Sequence, residues 1–191
     1  QNHIVMKKVN LAVGFIILAT GLVIYACTDG KKTEEESPIL SQSQMVNRGE
    51  YLVTAIGCDD CHSPKRMGAQ GPELIPELRL SGYPASRPIE KVDPSVTAKG
   101  WVVLSPDLTM AAGPWGVSFS ANLTSDGTGI GNWSESNFIT ALRNGKAKGL
   151  ENGRSLLPPM PWYNFAKLTD EDLKSILAYL KTTNPVKNVV P

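Results

Sequence analysis

The stretch Cys58-Asp59-Asp60-Cys61-His62 restricts what this chain can become more than any other. On a helical turn, positions i, i+3 and i+4 share one face, so both thiols and the imidazole project together. Two thiols at that spacing can each add to a haem vinyl group as a thioether, and the imidazole beside them meets the iron as proximal ligand. Other uses of these residues fit less well. A structural zinc site needs about four Cys or His ligands. The chain has 3 Cys and 2 His, and His3 lies beyond an apolar segment. A redox dithiol belongs in a βαβ frame, and no alternation of strands and helices is readable here. The motif therefore predicts one covalently attached haem c on Cys58, Cys61 and His62.

The other face of the iron must then be supplied from elsewhere. Outside residues 1–27 the sole histidine is His62, so a second imidazole is excluded, and the candidates are Met45, Met67, Met110 and Met160. Met45 opens the helix that leads into the motif, and Met67 follows His62 too closely to cross to the opposite face. Met160 has the better setting of the remaining pair. Pro158, Pro159 and Pro161 hold it in an extended strap just ahead of a closing helix. Met110 is the fallback.

Residues 1–27 read as a targeting segment. Lys7 and Lys8 precede an uncharged run from Val9 to Ala26, long for a secretory core and almost long enough to span a bilayer. Ile24-Tyr25-Ala26-Cys27 resembles a bacterial lipobox, which makes Cys27 the expected lipidation site; an uncleaved helix is the other reading. Either keeps the protein on a membrane, with the remainder on the periplasmic side of a bacterial envelope. Residues 28–44, with Lys31-Lys32 and Glu34-Glu35-Glu36, carry nothing to build a core and read as a flexible linker. Formal net charge is +1, which offers no case for nucleic-acid binding.

From residue 45 the chain reads as one domain. Met45 to Gly57 has an apolar stripe of helical period, with Gly49 in mid-helix where another helix could come close. Residues 63–116 hold 8 of the 14 prolines, so no long helix can pass through them; Gly100–Leu104 is the one short strand candidate. Tyr83, Trp101 and Trp115 predict that this region packs against the rest. Tight turns are expected around Asp126-Gly127, Gly129 and Gly131. Ser134 should cap a helix from Glu135 to Asn144 with Gly145 past its end. Thr169 should cap a last helix, with Leu168 and Leu173 as a hydrophobic staple and Asn184-Pro185 as its stop.

These features together resemble the class I monohaem c-type cytochromes of bacteria. Arg48-Gly49-Glu50-Tyr51-Leu52 and Ile176-Leu177-Ala178-Tyr179-Leu180-Lys181 resemble the crossed N- and C-terminal helices of that family. Asn122-Leu123-Thr124, Gly129-Ile130-Gly131 with Trp133, and Met160-Pro161-Trp162 are similar to motifs in cytochrome subunits of membrane-bound alcohol and sugar dehydrogenases. The resemblance implies a mainly α fold, two crossed helices around one haem, with 63–116 as a long Pro/Gly-rich loop insertion in a 45–191 domain. It also implies a carrier of single electrons, not a catalyst, with redox protein partners in a respiratory or dehydrogenase complex. A haem-based sensor, in which Met160 gives way to a small ligand, and a structural subunit of such a complex are the other functions consistent with the residues.

The membrane expectation has a direct test. Lipidation predicts a mature chain beginning at Cys27, and Cys27→Ser should block its processing. Intact-mass measurement decides it, because a mass that retains Val9 to Ala26 indicates a membrane-spanning helix instead.

Overall fold

The computed structural model describes residues 40–191; the expectations for the targeting segment, for Cys27 and for most of the linker lie outside them. Six α-helices are found among the described residues: α1 (Gln42–Ala55), α2 (Cys58–His62), α3 (Pro94–Ala98), α4 (Glu135–Asn144), α5 (Trp162–Phe165) and α6 (Asp170–Leu180). Five short strands form two antiparallel sheets. β1 (Lys65–Gly68) pairs with β2 (Gly71–Leu74), and β3 (Val103–Leu104), β4 (Met110–Gly113) and β5 (Gly116–Phe119) lie in sequence order. The fold is mainly helical, with the strands confined to the insertion and its edge. Among the described residues no helix is long and apolar enough to cross a membrane.

Helix α1 starts at Gln42, earlier than the apolar stripe suggested and inside the expected linker. The cause is polar. The Ser41 hydroxyl accepts from the Gln44 N–H while the Gln44 side chain accepts from the Ser41 N–H, a capping box that satisfies both groups. The far end also differs from the expectation. Gly57, at φ 76°, adopts a left-handed backbone that separates α1 from the motif helix α2.

The core is built where α1 meets α6. A Cβ placed on Gly49 would stand 2.0 Å from the Ser175 carbonyl oxygen and 2.7 Å from Tyr179 Cβ, so only glycine allows this approach. Leu52 and Val53 of α1 then close on Ile176, Leu177, Tyr179 and Leu180 of α6, with Phe138 of α4 and Ile130 completing the cluster. At the rim Arg48 reaches Asp172 at 2.5 Å. Helix α6 begins as expected at a Thr169 cap, its hydroxyl accepting the Asp172 N–H, but it ends at Leu180, ahead of Asn184-Pro185. Helix α4 has the expected bounds, Ser134 cap and left-handed Gly145. Its buried face is Phe138, Thr140 and Ala141, while Ile139 and Leu142 are only partly covered.

The insertion is more ordered than its sequence suggested. The strand expected at Gly100–Leu104 is only Val103–Leu104, and two hairpins stand where no strand pattern was legible. Met-Ala-Ala-Gly and Gly-Pro-Glu-Leu lack alternation and β-branched residues, so pairing with a neighbouring strand, and for Met-Ala-Ala-Gly burial as well, makes them strands rather than propensity. Tyr83 packs inward as expected, its ring centroid 4.8 Å from that of Phe119 with the planes tilted by 55°. Trp101 does not; it is 68% exposed. Leu80 does what Trp101 was expected to do. It enters the helical core fully buried at φ 61°. That backbone costs a non-glycine residue about 1–2 kcal/mol, and complete burial of a leucine contributes about 1.5–3 kcal/mol in return.

The C-terminal tail straps the loop 122–128 to the insertion. Asn188 Nδ2 donates to the carbonyls of Ser81 and Tyr83, and Asn122 Nδ2 donates to the Val186 carbonyl. In the insertion Asp107 is buried beside Arg87, whose Nη2 stands 2.7 Å from Oδ2. Oδ1 accepts from Ser105 Oγ, Thr109 N and Thr109 Oγ1. Burial pushes this carboxyl up, but Arg87 and the three donors outweigh it and hold it at about 2.

Two outcomes follow from this packing. Gly49→Ala should destabilise the holoprotein by about 1–3 kcal/mol through overpacking, although alanine is the better helix former; an unchanged melting temperature would mean the two helices part without cost. Asp107 should support the fold above pH ~4, where its unfolded counterpart is also ionised, and lose that support as pH falls towards 2. Unfolding free energies from denaturant titrations between pH 6 and pH 2 should therefore fall more steeply for the wild type than for Asp107→Asn, by roughly 2 kcal/mol over that range. Parallel slopes would exclude the carboxylate as the cause.

Candidate haem site

Helix α2 carries Cys58, Cys61 and His62 on one short turn. Three contacts hold it. Gly82 N–H donates to the His62 carbonyl at 2.7 Å, from the insertion. Lys65 Nζ lies 3.2, 2.7, 3.0 and 3.1 Å from the carbonyl oxygens of Asp59, Asp60, Ser63 and Asp107, a cation at the negative end of the helix. Asp59 is gripped by Arg79, whose Nε and Nη2 both donate to its carboxylate and whose Nη1 donates to the Tyr179 hydroxyl at 2.6 Å. Ser63 adds a further donor to Asp59, 2.7 Å away, and its own oxygen accepts the Leu80 N–H. The motif helix is thus bolted to the insertion and, through Arg79, to α6.

The His62 ring is oriented by one hydrogen bond. Nδ1 lies 2.7 Å from the Ala121 carbonyl oxygen. A carbonyl can only accept, so Nδ1 carries the proton and Nε2 keeps its lone pair. Burial drives the imidazole pKa down, against the upward pull of that bond and of Asp59, so the ring is neutral at pH 7. This is the form in which histidine ligates a metal, with its second nitrogen anchored to a backbone carbonyl.

Both thiols are half-buried and neither is in a disulfide. Burial, then the charge of Asp59, pushes Cys58 up to about 12, and burial with Asp60 raises Cys61. Cys58 also packs against the helical core. Two reduced thiols on the face of a helix whose next residue is a neutral, oriented imidazole form a donor set that fits a covalently attached haem.

The methionines occupy different settings. Met110 is buried on β4 opposite Phe119 and lines a cavity of about 200 Å³ with Met67, Tyr83 and Arg87. It belongs to the interior of the insertion. Met160 lies half-buried on the strap between Leu156, whose N–H donates to the Gly145 carbonyl at 2.7 Å, and the start of α5. At its other end the Trp162 ring lies against Gly145, where a Cβ would stand 2.4 Å from it. Between these anchors the strap is held by Ser118 of β5, whose hydroxyl donates to the Pro158 carbonyl at 2.6 Å.

Several residues of this site gave little sign of themselves in the sequence. Arg79, Ser63, Ala121 and Ser118 stand in no motif, and a backbone carbonyl such as that of Ala121 has no residue-type signal at all. Asp59 and Asp60, inside the motif, would by their type alone make part of its rim acidic. Asp59 is instead neutralised by Arg79, and Asp60 is the exposed acid of the motif. In the glycine-rich turns, Gly129 and Gly131 rest on the backbone oxygens of Thr124 and Ser125.

Comparison with known proteins bears on the family. The gluconate 2-dehydrogenase cytochrome c subunit of Pantoea cypripedii is 35% identical over 136 residues, which is 71% of this chain and 22% of that protein. The fructose dehydrogenase cytochrome subunit of Gluconobacter japonicus is 28% identical over 86% of this chain and 26% of its own length. The cytochrome c subunit of the quinone-dependent alcohol dehydrogenase of Gluconobacter oxydans is 27% identical over 71% of this chain and 20% of its own. The chain therefore spans about a fifth to a quarter of the length of these three relatives. The cytochrome c family profile matches residues 46–184, and with the motif, the oriented histidine and these relatives the chain belongs to the cytochrome c family.

Proposed function

We propose that this protein is a membrane-attached electron carrier with one haem c, bound through Cys58 and Cys61 and ligated by His62 and Met160. It passes single electrons to or from a respiratory or dehydrogenase partner. The observation that carries this reading is the His62 Nδ1–Ala121 bond, which leaves Nε2 as a lone-pair donor beside two free thiols. A haem iron with one nitrogen and one thioether ligand supplies one-electron chemistry at a potential that methionine raises.

The chain's own residues account for the rest. The close approach at Gly49 supports two crossed helices, α1 and α6, packed around the haem as in the family. Arg79 removes the charge of Asp59 from the rim, so the docking surface near the thiols is only weakly acidic and long-range steering is modest. The chain is a carrier and not an enzyme, in line with relatives that are cytochrome subunits of dehydrogenases. Those names make a dehydrogenase complex the favoured partner. Residues 1–27, ending at Cys27, would keep the carrier on the periplasmic face of the membrane.

Met160 is chosen over Met110 because Met110 is enclosed within the insertion, whereas Met160 sits on a strap with three prolines and a single interior tether. Ferric protein is expected to show the weak long-wavelength sulfur-to-iron absorption band, and reduced protein to resist carbon monoxide at neutral pH. Met160→Ala should abolish the band, lower the potential and open the iron to added ligands. Met110→Ala should do none of these. Rapid carbon monoxide binding by the reduced wild type would replace the carrier reading with gas sensing.

A further inference from the structure

The segment 118–121, which follows directly on the insertion, reaches both of the segments that bear the proposed axial ligands. Ala121 accepts from His62 on one side, and Ser118 donates to Pro158, two residues before Met160, on the other. The segment between them is itself held from both flanks. Ser120 N–H donates to the Thr109 carbonyl at 2.9 Å, and the Ser120 carbonyl accepts from Tyr83 N–H at 3.0 Å. Ser118 in turn sits in register opposite Ala111 of β4, with Trp115 Nε1 3.4 Å from its hydroxyl oxygen.

The strap on the other side has few ways to be held. Pro158, Pro159 and Pro161 have no N–H to donate. From residue 157 to residue 160, the bond from Ser118 is the only hydrogen bond that the strap makes to any other described residue. Proline restricts the strap's own φ angles, but it cannot fix where the strap lies relative to the rest of the protein. That placement needs a contact from outside.

We propose that Ser118 is a positioning residue for Met160: its hydroxyl pins the strap to the insertion sheet and so keeps the thioether as a standing sixth ligand. The proposal rests on the assignment of Met160 given above. It also gives the insertion a role in setting the lifetime of the iron–sulfur bond, beyond packing. The bond is short and charge-neutral, and no other described residue donates to residues 157–160, so its loss should be felt at the methionine more than in the fold.

The test uses holoprotein of the wild type, Ser118→Ala, Ser118→Thr and Met160→Ala. The readouts are the sulfur-to-iron band, the rate at which ferrous protein takes up carbon monoxide, and the thermal melt. Ser118→Ala should weaken the band and speed carbon monoxide uptake by about tenfold or more while its melt stays close to that of the wild type. Ser118→Thr, which keeps a hydroxyl on the same strand position, should restore wild-type behaviour. If Met160→Ala opens the iron but Ser118→Ala matches the wild type in band and uptake, the positioning role is wrong and the ligand assignment stands. If Ser118→Thr is as open as Ser118→Ala, the hydrogen bond is not the cause and the role is again wrong. If Met160→Ala leaves band and uptake unchanged, the ligand assignment itself fails and this proposal with it.

Discussion

The hydrogen bond from His62 Nδ1 to the Ala121 carbonyl is the contact on which the site depends. It fixes the tautomer, the ring plane and the free nitrogen at once. A buried imidazole without it could turn, and its lone pair would have no set direction. A carbonyl can serve as an anchor only if its own segment is held, and Ser120 beside it is tied to Thr109 and Tyr83. The stretch that looked least structured in the sequence therefore holds, through Tyr83 and Thr109, the segment that anchors the histidine.

The helical core answers a different requirement, close packing of two long elements. Gly49 lets the α1 backbone touch that of α6, and Leu52, Val53, Ile176 and Leu180 interlock around the contact. Charge pairs then trim the edges of this core. Arg48 with Asp172 joins the helices directly, and Arg79 joins the motif helix to Tyr179. Asp59 and Asp172 lie largely out of solvent, so each needs its partner; an unpaired charge there would cost several kcal/mol. The same arginine that satisfies Asp59 also sets the charge of the surface a redox partner would meet.

The parts that were legible in the sequence were those with a short-range code. The helical stripe with Gly49, the Ser134 and Thr169 caps and the Gly145 terminus depend on residues within a turn or two of one another, and each stands where it was expected. The misreadings share another cause. Met-Ala-Ala-Gly becomes a strand only because β5 returns beside it, and Leu80 replaces Trp101 in the core because the chain path brings it there at a left-handed backbone angle. The start of α1 was missed because an apolar stripe records which face is buried, while the capping box records where the backbone donors are satisfied.

By itself the sequence determined the chemistry on offer and its local frame: two thiols and one imidazole within a helical turn, and a methionine among prolines. Those are covalent and nearest-neighbour facts, and no fold is needed to read them. Tertiary structure decided how those groups are aimed. It chose which imidazole nitrogen is free, through a carbonyl 59 positions away, and it neutralised one of the two motif acids through Arg79. It also enclosed Met110 while leaving Met160 on a tethered strap. The physical reason is that hydrogen bonds and ion pairs act over a few ångströms of space without regard to separation along the chain. Their partners are set only when the chain has folded.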